Sequence, residues 1–77
     1  MSGKPRPKPC YLDEMKYFGM RDGRKVWRSP KSDHLYTWDS LHGEIEAFNR
    51  RGQHVGSLDA VSGALIKKPV PGRKLHV

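Results

Sequence analysis

The sequence predicts a mainly β fold of the α+β kind: a short N-terminal helix followed by a strongly twisted antiparallel sheet. Three observations predict it. The chain has 77 residues, enough for one domain with a thin core, because a domain this small buries only about 60% of the surface its unfolded chain exposes. From Arg24 onward, short strand-like runs alternate with turn residues at the spacing of an antiparallel meander. Upstream, Tyr11, Met15 and Phe18 recur at helical spacing.

Residues 1–10 read as a basic, proline-rich arm. Lys4-Pro5-Arg6-Pro7-Lys8-Pro9 alternates proline with cations, which excludes helix and central strand and favours an extended linker or a polyproline recognition ligand. Residues 11–77 form the single domain. A short helix is predicted over 11–18, with Gly19 as its stop. Strands are predicted at 25–28, 35–39, 44–48, 54–58 and 64–67. The breaks fall at 29–33, 40–43, 50–52 and 59–63, each supplied with Gly, Pro, Ser, Asp or basic residues. Pro69-Val70-Pro71-Gly72 ends the last strand and leads into a basic tail. A sheet of this size twists and curls.

Net charge is +7, and no acid occurs before Asp13 or after Asp59. Lys4, Arg6 and Lys8 make one basic end; Lys67, Lys68, Arg73 and Lys74 make the other. Such asymmetry attracts polyanions or an acidic protein partner at long range. Cys10 is the lone cysteine, so an intramolecular disulfide and a cysteine-based zinc site are both excluded, and no role is assigned to it. No apolar run approaches the length of a membrane span. The start of the chain lacks the apolar segment of a signal peptide.

The densest chemistry lies in Tyr36-Thr37-Trp38-Asp39-Ser40-Leu41-His42-Gly43-Glu44-Ile45-Glu46. Strand alternation puts Glu44, Glu46 and Phe48 on one face, and Asp39 and His42 lie across the preceding turn. An Asp near a His can fix the tautomer and favour the protonated ring. RNA cleavage needs a base for the ribose 2′-hydroxyl, an acid for the leaving 5′-oxygen, and a cation for the phosphorane. Glu, His and Arg or Lys supply all three without a metal. Residue types alone leave a second reading open, in which these are solvated polar groups beside a turn. His34, His42 and His54 could hold zinc with carboxylates, but they are spread over three segments with no HxxxH or HxH pair. Ser40 lacks a nucleophile-elbow context, and the glycines form no phosphate loop.

This run resembles the nuclease domain of the ribosome-inactivating E-group colicins and cloacin. Trp27 and Tyr36 keep that family's spacing to Asp39, and Gly52-Gln53-His54-Val55-Gly56-Ser57-Leu58-Asp59 resembles its next strand. Gly63, Lys67, Pro69, Pro71 and Arg73 follow in register. The resemblance covers about 24–73, with a hairpin tip between Glu46 and Gly52 one residue shorter than in the family and a tail poorer in lysine. It implies a cytotoxic endoribonuclease that cuts small-subunit (16S) ribosomal RNA at the decoding site, on a twisted antiparallel sheet with a short N-terminal helix. By position, Asp39, His42, Glu46 and Arg73 match the family's catalytic group, with Glu44 as a supporting carboxylate. The matching roles are Glu46 as base, His42 as acid, Asp39 orienting His42, and Arg73 on the phosphate. Trp38, Tyr36, Lys67, Lys68 and Lys74 are the substrate-binding candidates, and Glu46 and His42 are expected at an open surface. No cofactor and no metal is expected.

The implied partners are the 70S ribosome with its 16S RNA and an acidic cognate immunity protein. The implied setting is a longer toxin, either a bacteriocin or a contact-dependent inhibition protein, which delivers the domain to the cytoplasm of a target cell. Rival readings are a non-catalytic RNA-binding module that stacks bases on Trp38, Tyr36 and Phe48, a protein-interaction domain that binds an acidic partner, and a toxin ribonuclease that acts on transfer RNA.

Overall fold

A computed structural model describes residues 3–76. One 3-10 turn, Tyr11–Glu14, precedes six strands: β1 (Lys16–Arg21), β2 (Arg24–Arg28), β3 (Leu35–Asp39), β4 (Glu44–Phe48), β5 (His54–Leu58) and β6 (Leu65–Lys67). They form one sheet in sequential order, every neighbour antiparallel. The fold is the mainly β meander that the turn spacing predicts.

The helix prediction is corrected in its second half. The turn at Tyr11–Glu14 forms, and the Asp13 carboxylate accepts the Cys10 N–H at 2.9 Å to close its start. From Lys16 the chain is strand, with Tyr17 opposite Trp27 and Arg21 opposite Arg24. The winning signal is Asp22-Gly23, both at positive φ (53° and 74°), the two-residue hairpin turn whose twist matches the strands it joins. Tyr17 and Phe18 also suit a pleated surface better than a helix. Gly19, expected as a helix stop, instead lies at a bulge inside β1.

The sheet is covered on both faces by chain ends that fold back. On one face Trp27, Tyr36, Ile45 and Ala47 are buried beneath Cys10 and Leu12, with Tyr11, Met15, Trp38, Val55 and Leu58 packed around them. Cys10 thus acts as a small core hydrophobe. On the other face Val26, Leu35 and Phe48 are closed by Leu75 of the tail. The tail is fixed by main chain: His54 N–H donates to Arg73 O (3.2 Å) and Leu75 N–H to Gly52 O (2.8 Å). Gly52 permits this approach, since a Cβ there would lie 1.8 Å from Leu75 O.

Residues 3–9 contain no helix or strand, and they lie on the sheet. Lys4 N–H donates to Ser40 O at 2.7 Å, Trp38 Nε1–H donates to Lys4 O at 2.9 Å, and the Arg6 guanidinium sits 4.9 Å from the Trp27 ring centre. Among the described residues no helix is long and apolar enough to cross a membrane.

Candidate active site

The site begins at the β3–β4 hairpin. Asp39 closes β3 and pairs with Glu44, the first residue of β4. Its Oδ1 accepts the N–H groups of Leu41 (3.0 Å) and His42 (3.2 Å), while Gly43 N–H returns to Asp39 O at 2.8 Å. That turn aims His42 back at the same carboxylate, with Nδ1 2.7 Å from Asp39 Oδ2. A carboxylate acceptor selects the tautomer protonated at Nδ1 and leaves Nε2 free. Burial alone would raise the Asp39 carboxyl, but the hydrogen bonds and charge of His42, with the Leu41 N–H, outweigh it and hold the group below its ordinary value.

Two residues along β4, about 7 Å at strand rise, Glu46 lies on the same face as Glu44. Thr37 and Ser57 flank it on the neighbouring strands. Its side chain is only 10% exposed, which corrects the expectation of an open position: β3, β5 and the returning tail enclose it. A carboxylate so placed must be compensated. Arg73 Nη1 donates to Glu46 Oε1, Arg24 Nη1 is 4.0 Å from Oε2, and His54 Nε2 is 3.1 Å from Oε1.

Sequence reasoning weighed His54 only as a zinc ligand and missed it as a neighbour of Glu46. Val55 is the extra residue in a bulge, with Ala47 opposite Gly56 and Phe48 opposite His54, so the imidazole joins the Glu46 face. Val70 N–H donates to its Nδ1 at 2.9 Å, which leaves the proton on Nε2, directed toward Glu46 but out of line for a full hydrogen bond. Burial depresses the His54 pKa; Glu46 pulls it up and Arg73 pushes it down. The buried Thr37 hydroxyl opposite Glu46 also lacks a partner. Arg24 was likewise unforeseen, because nothing in its local sequence links it to β4.

The face thus gathers Asp39, His42, Glu44, Glu46 and Arg73. Lys67 joins them through Glu44, with Nζ 3.0 Å from Oε1. Lys68 and Lys74 are exposed near this edge, and neither forms an ion pair among the described residues. Tyr36 and Trp38 lie on the opposite face, because the register sets Thr37, not Tyr36, beside Glu46. Tyr36 is buried edge-on against Tyr11, 6.3 Å between ring centres, so it is a packing residue with no face open to a base. Phe48 is fully buried beneath Leu75 and offers no stacking surface either. His34, His42 and His54 do not converge. Among the described residues, the one group with metal-like convergence is Asp39, His42 and Glu44, within 4.8 Å of one another, and the Lys67 ammonium already supplies positive charge beside it.

The fold is a small basic antiparallel meander that carries an Asp-oriented imidazole, a caged carboxylate and a guanidinium on one face. Residues 13–76 match the Cytotoxic family model, and the chain belongs to that family, the cytotoxic domain of the E-group colicins and cloacin. It is 43% identical over 53 residues to colicin E3, 40% to colicin E6 and 38% to cloacin, all of Escherichia coli. Each match covers 68% of this chain but only 9–10% of the relative, so the chain spans about a tenth of the length of those proteins.

Proposed function

We propose that this domain is a toxin endoribonuclease that cuts 16S ribosomal RNA at the decoding site and so stops translation. The observation that carries the reading is the pairing on one sheet face of an Asp39-oriented His42 with Glu46, beside Arg73. Glu46 takes the 2′-hydroxyl proton and the 2′-oxygen attacks phosphorus. His42 acts as the imidazolium: with Nδ1–H held by Asp39, it gives its Nε2 proton to the departing 5′-oxygen, leaving a 2′,3′-cyclic phosphate and a 5′-hydroxyl. Arg73, with Arg24 behind it, stabilises the extra charge of the phosphorane. Asp39 accepts from His42 Nδ1–H and so orients the ring with Nε2 left for the leaving oxygen, and Glu44 holds Lys67 at the edge of the site. The residues divide the proton transfers without a metal.

The family relationship supports the rest of the reading. A longer toxin delivers the domain to the target cytoplasm, and an acidic immunity protein protects the producing cell. The rival with no catalysis explains the charge but gives no reason for an Asp-oriented imidazole to share a face with a buried carboxylate. Incubating intact ribosomes with the domain plus EDTA, then mapping RNA ends, tests the proposal. A single cut in 16S RNA ending in a cyclic phosphate is expected. Loss of cleavage in EDTA with recovery on adding magnesium or zinc overturns the metal-independent mechanism, and cuts confined to transfer RNA overturn the substrate.

A further inference from the structure

The proline-rich arm builds a second feature that the catalytic reading does not use. Residues 3–6 lie across β2 and β3 and enclose a groove of about 430 Å³ lined by Lys4, Arg6, Arg24, Lys25, Trp27 and Trp38, with no carboxylate in its wall. Three contacts hold the arm there: Lys4 main chain to Ser40, the Trp38 indole to Lys4, and Arg6 over Trp27. Proline at alternate positions pre-sets the extended backbone, so its cations are presented at small entropic cost. Trp27 is buried as the floor beneath Arg6, whereas Trp38 is only partly buried. Arg24 belongs to both places: it lines the groove, and its Nη1 stands 4.0 Å from Glu46 Oε2.

We infer that this groove, on the sheet face opposite Glu46 and joined to the catalytic face through Arg24, is a subsite for single-stranded RNA flanking the cleaved bond. A base stacks on Trp38, and the flanking phosphates lie along Lys4, Arg6 and Lys25. The inference rests on the proposed ribonuclease activity and adds to it the path of the strand. Cations interleaved with aromatic faces are what single-stranded RNA requires, since phosphates meet charge and any base can stack. Arg24 makes the path continuous with the catalytic face.

The chain's two tryptophans, Trp27 and Trp38, both line the groove, so tryptophan fluorescence, excited where tyrosine does not absorb, reports on it. The probe is a 2′-O-methylated hexaribonucleotide, which cannot be cleaved through its 2′-oxygens, titrated into the wild-type domain. Saturable quenching is expected. Lys4→Ala with Arg6→Ala should weaken binding at least tenfold and flatten the plot of log affinity against log salt by about 1.4, at about 0.7 for each single-strand phosphate that the variant no longer neutralises. Circular dichroism confirms that the variant is folded. No quenching by the hexamer, in a preparation that does cut ribosomal RNA, overturns the subsite and leaves the proposed function standing. Quenching by polyglutamate but not by the hexamer overturns it in favour of an acidic protein. Quenching by the hexamer in a domain that cuts no RNA supports the subsite and removes the catalytic reading instead.

Discussion

Replacing Glu46 by glutamine changes one charge and almost no volume, so it separates the chemistry of the carboxylate from its packing. In the wild type the carboxylate takes a hydrogen bond from Arg73 and faces Arg24 and His54. Removing a partner from a fully buried pair costs about 3–5 kcal/mol, while an exposed pair is worth about 0.2–1 kcal/mol. Here one side chain is 10% exposed and the other 44%, so Arg73 can turn to water once released. The glutamine also still accepts at its oxygen. A cost of about 1–2 kcal/mol follows, which for a domain of this size lowers the melting temperature by roughly 4–16 °C. The catalytic loss is much larger, about 10²- to 10⁴-fold in the single-turnover rate on ribosomes, because an amide cannot take the 2′-hydroxyl proton. The assay pairs thermal unfolding with cleavage measured well below the variant's melting temperature. A variant that melts lower yet cuts at the wild-type rate refutes the assignment and leaves Glu46 as a structural counter-ion for Arg73.

Four further outcomes are expected. His42→Ala should lose about a hundredfold or more in cleavage rate with little change in melting temperature, since its side chain is 55% exposed; equal loss in Glu44→Gln would move the acid–base role toward Glu44. Arg73→Lys should recover only part of the turnover lost in Arg73→Ala, because an ammonium cannot replace the planar fork; loss of ribosome binding alone, with turnover intact at saturation, would make Arg73 a positioning residue. Stability should fall with acid in two stages: His54, lowered by burial, contributes fully above about 6.5 and loses that contribution as pH drops through its lower folded value, while the lowered carboxyls of Asp39, Asp22 and Asp59 contribute above 3.8 and lose theirs below it. His54→Gln should erase the upper stage in denaturant titrations at stepped pH, and its persistence would assign it to another group. A cognate acidic immunity protein should associate more slowly as salt rises, and stopped-flow rates indifferent to salt would remove electrostatic steering from its recognition.

Much of the site was legible because it is local. Asp39, His42, Glu44 and Glu46 lie within one hairpin, where the turn needs Asp39 to take the Leu41 and His42 N–H groups and strand alternation ties Glu44 to Glu46. Those relations depend on neighbours within a few residues, so the sequence could place the four residues on one hairpin, as it placed β3, β4 and β5 to the residue and β2 and β6 to within one. What lay beyond it was set by which elements meet. Arg73 reaches Glu46 across 27 residues only because the tail returns beside β5, and a bulge at Val55 decides that His54 joins them. The burial of Glu46, the loss of Tyr36 to the core and the docking of the arm on Trp38 follow from what covers each face of the sheet. The helix expected over 11–18 gave way to β1 for the same reason: its helical spacing is a local preference, and pairing with β2 through Asp22-Gly23 satisfied more backbone than a single further turn would have done. Period and turn chemistry are written along the chain, whereas burial and long-range partners exist only once the sheet has closed on both its ends.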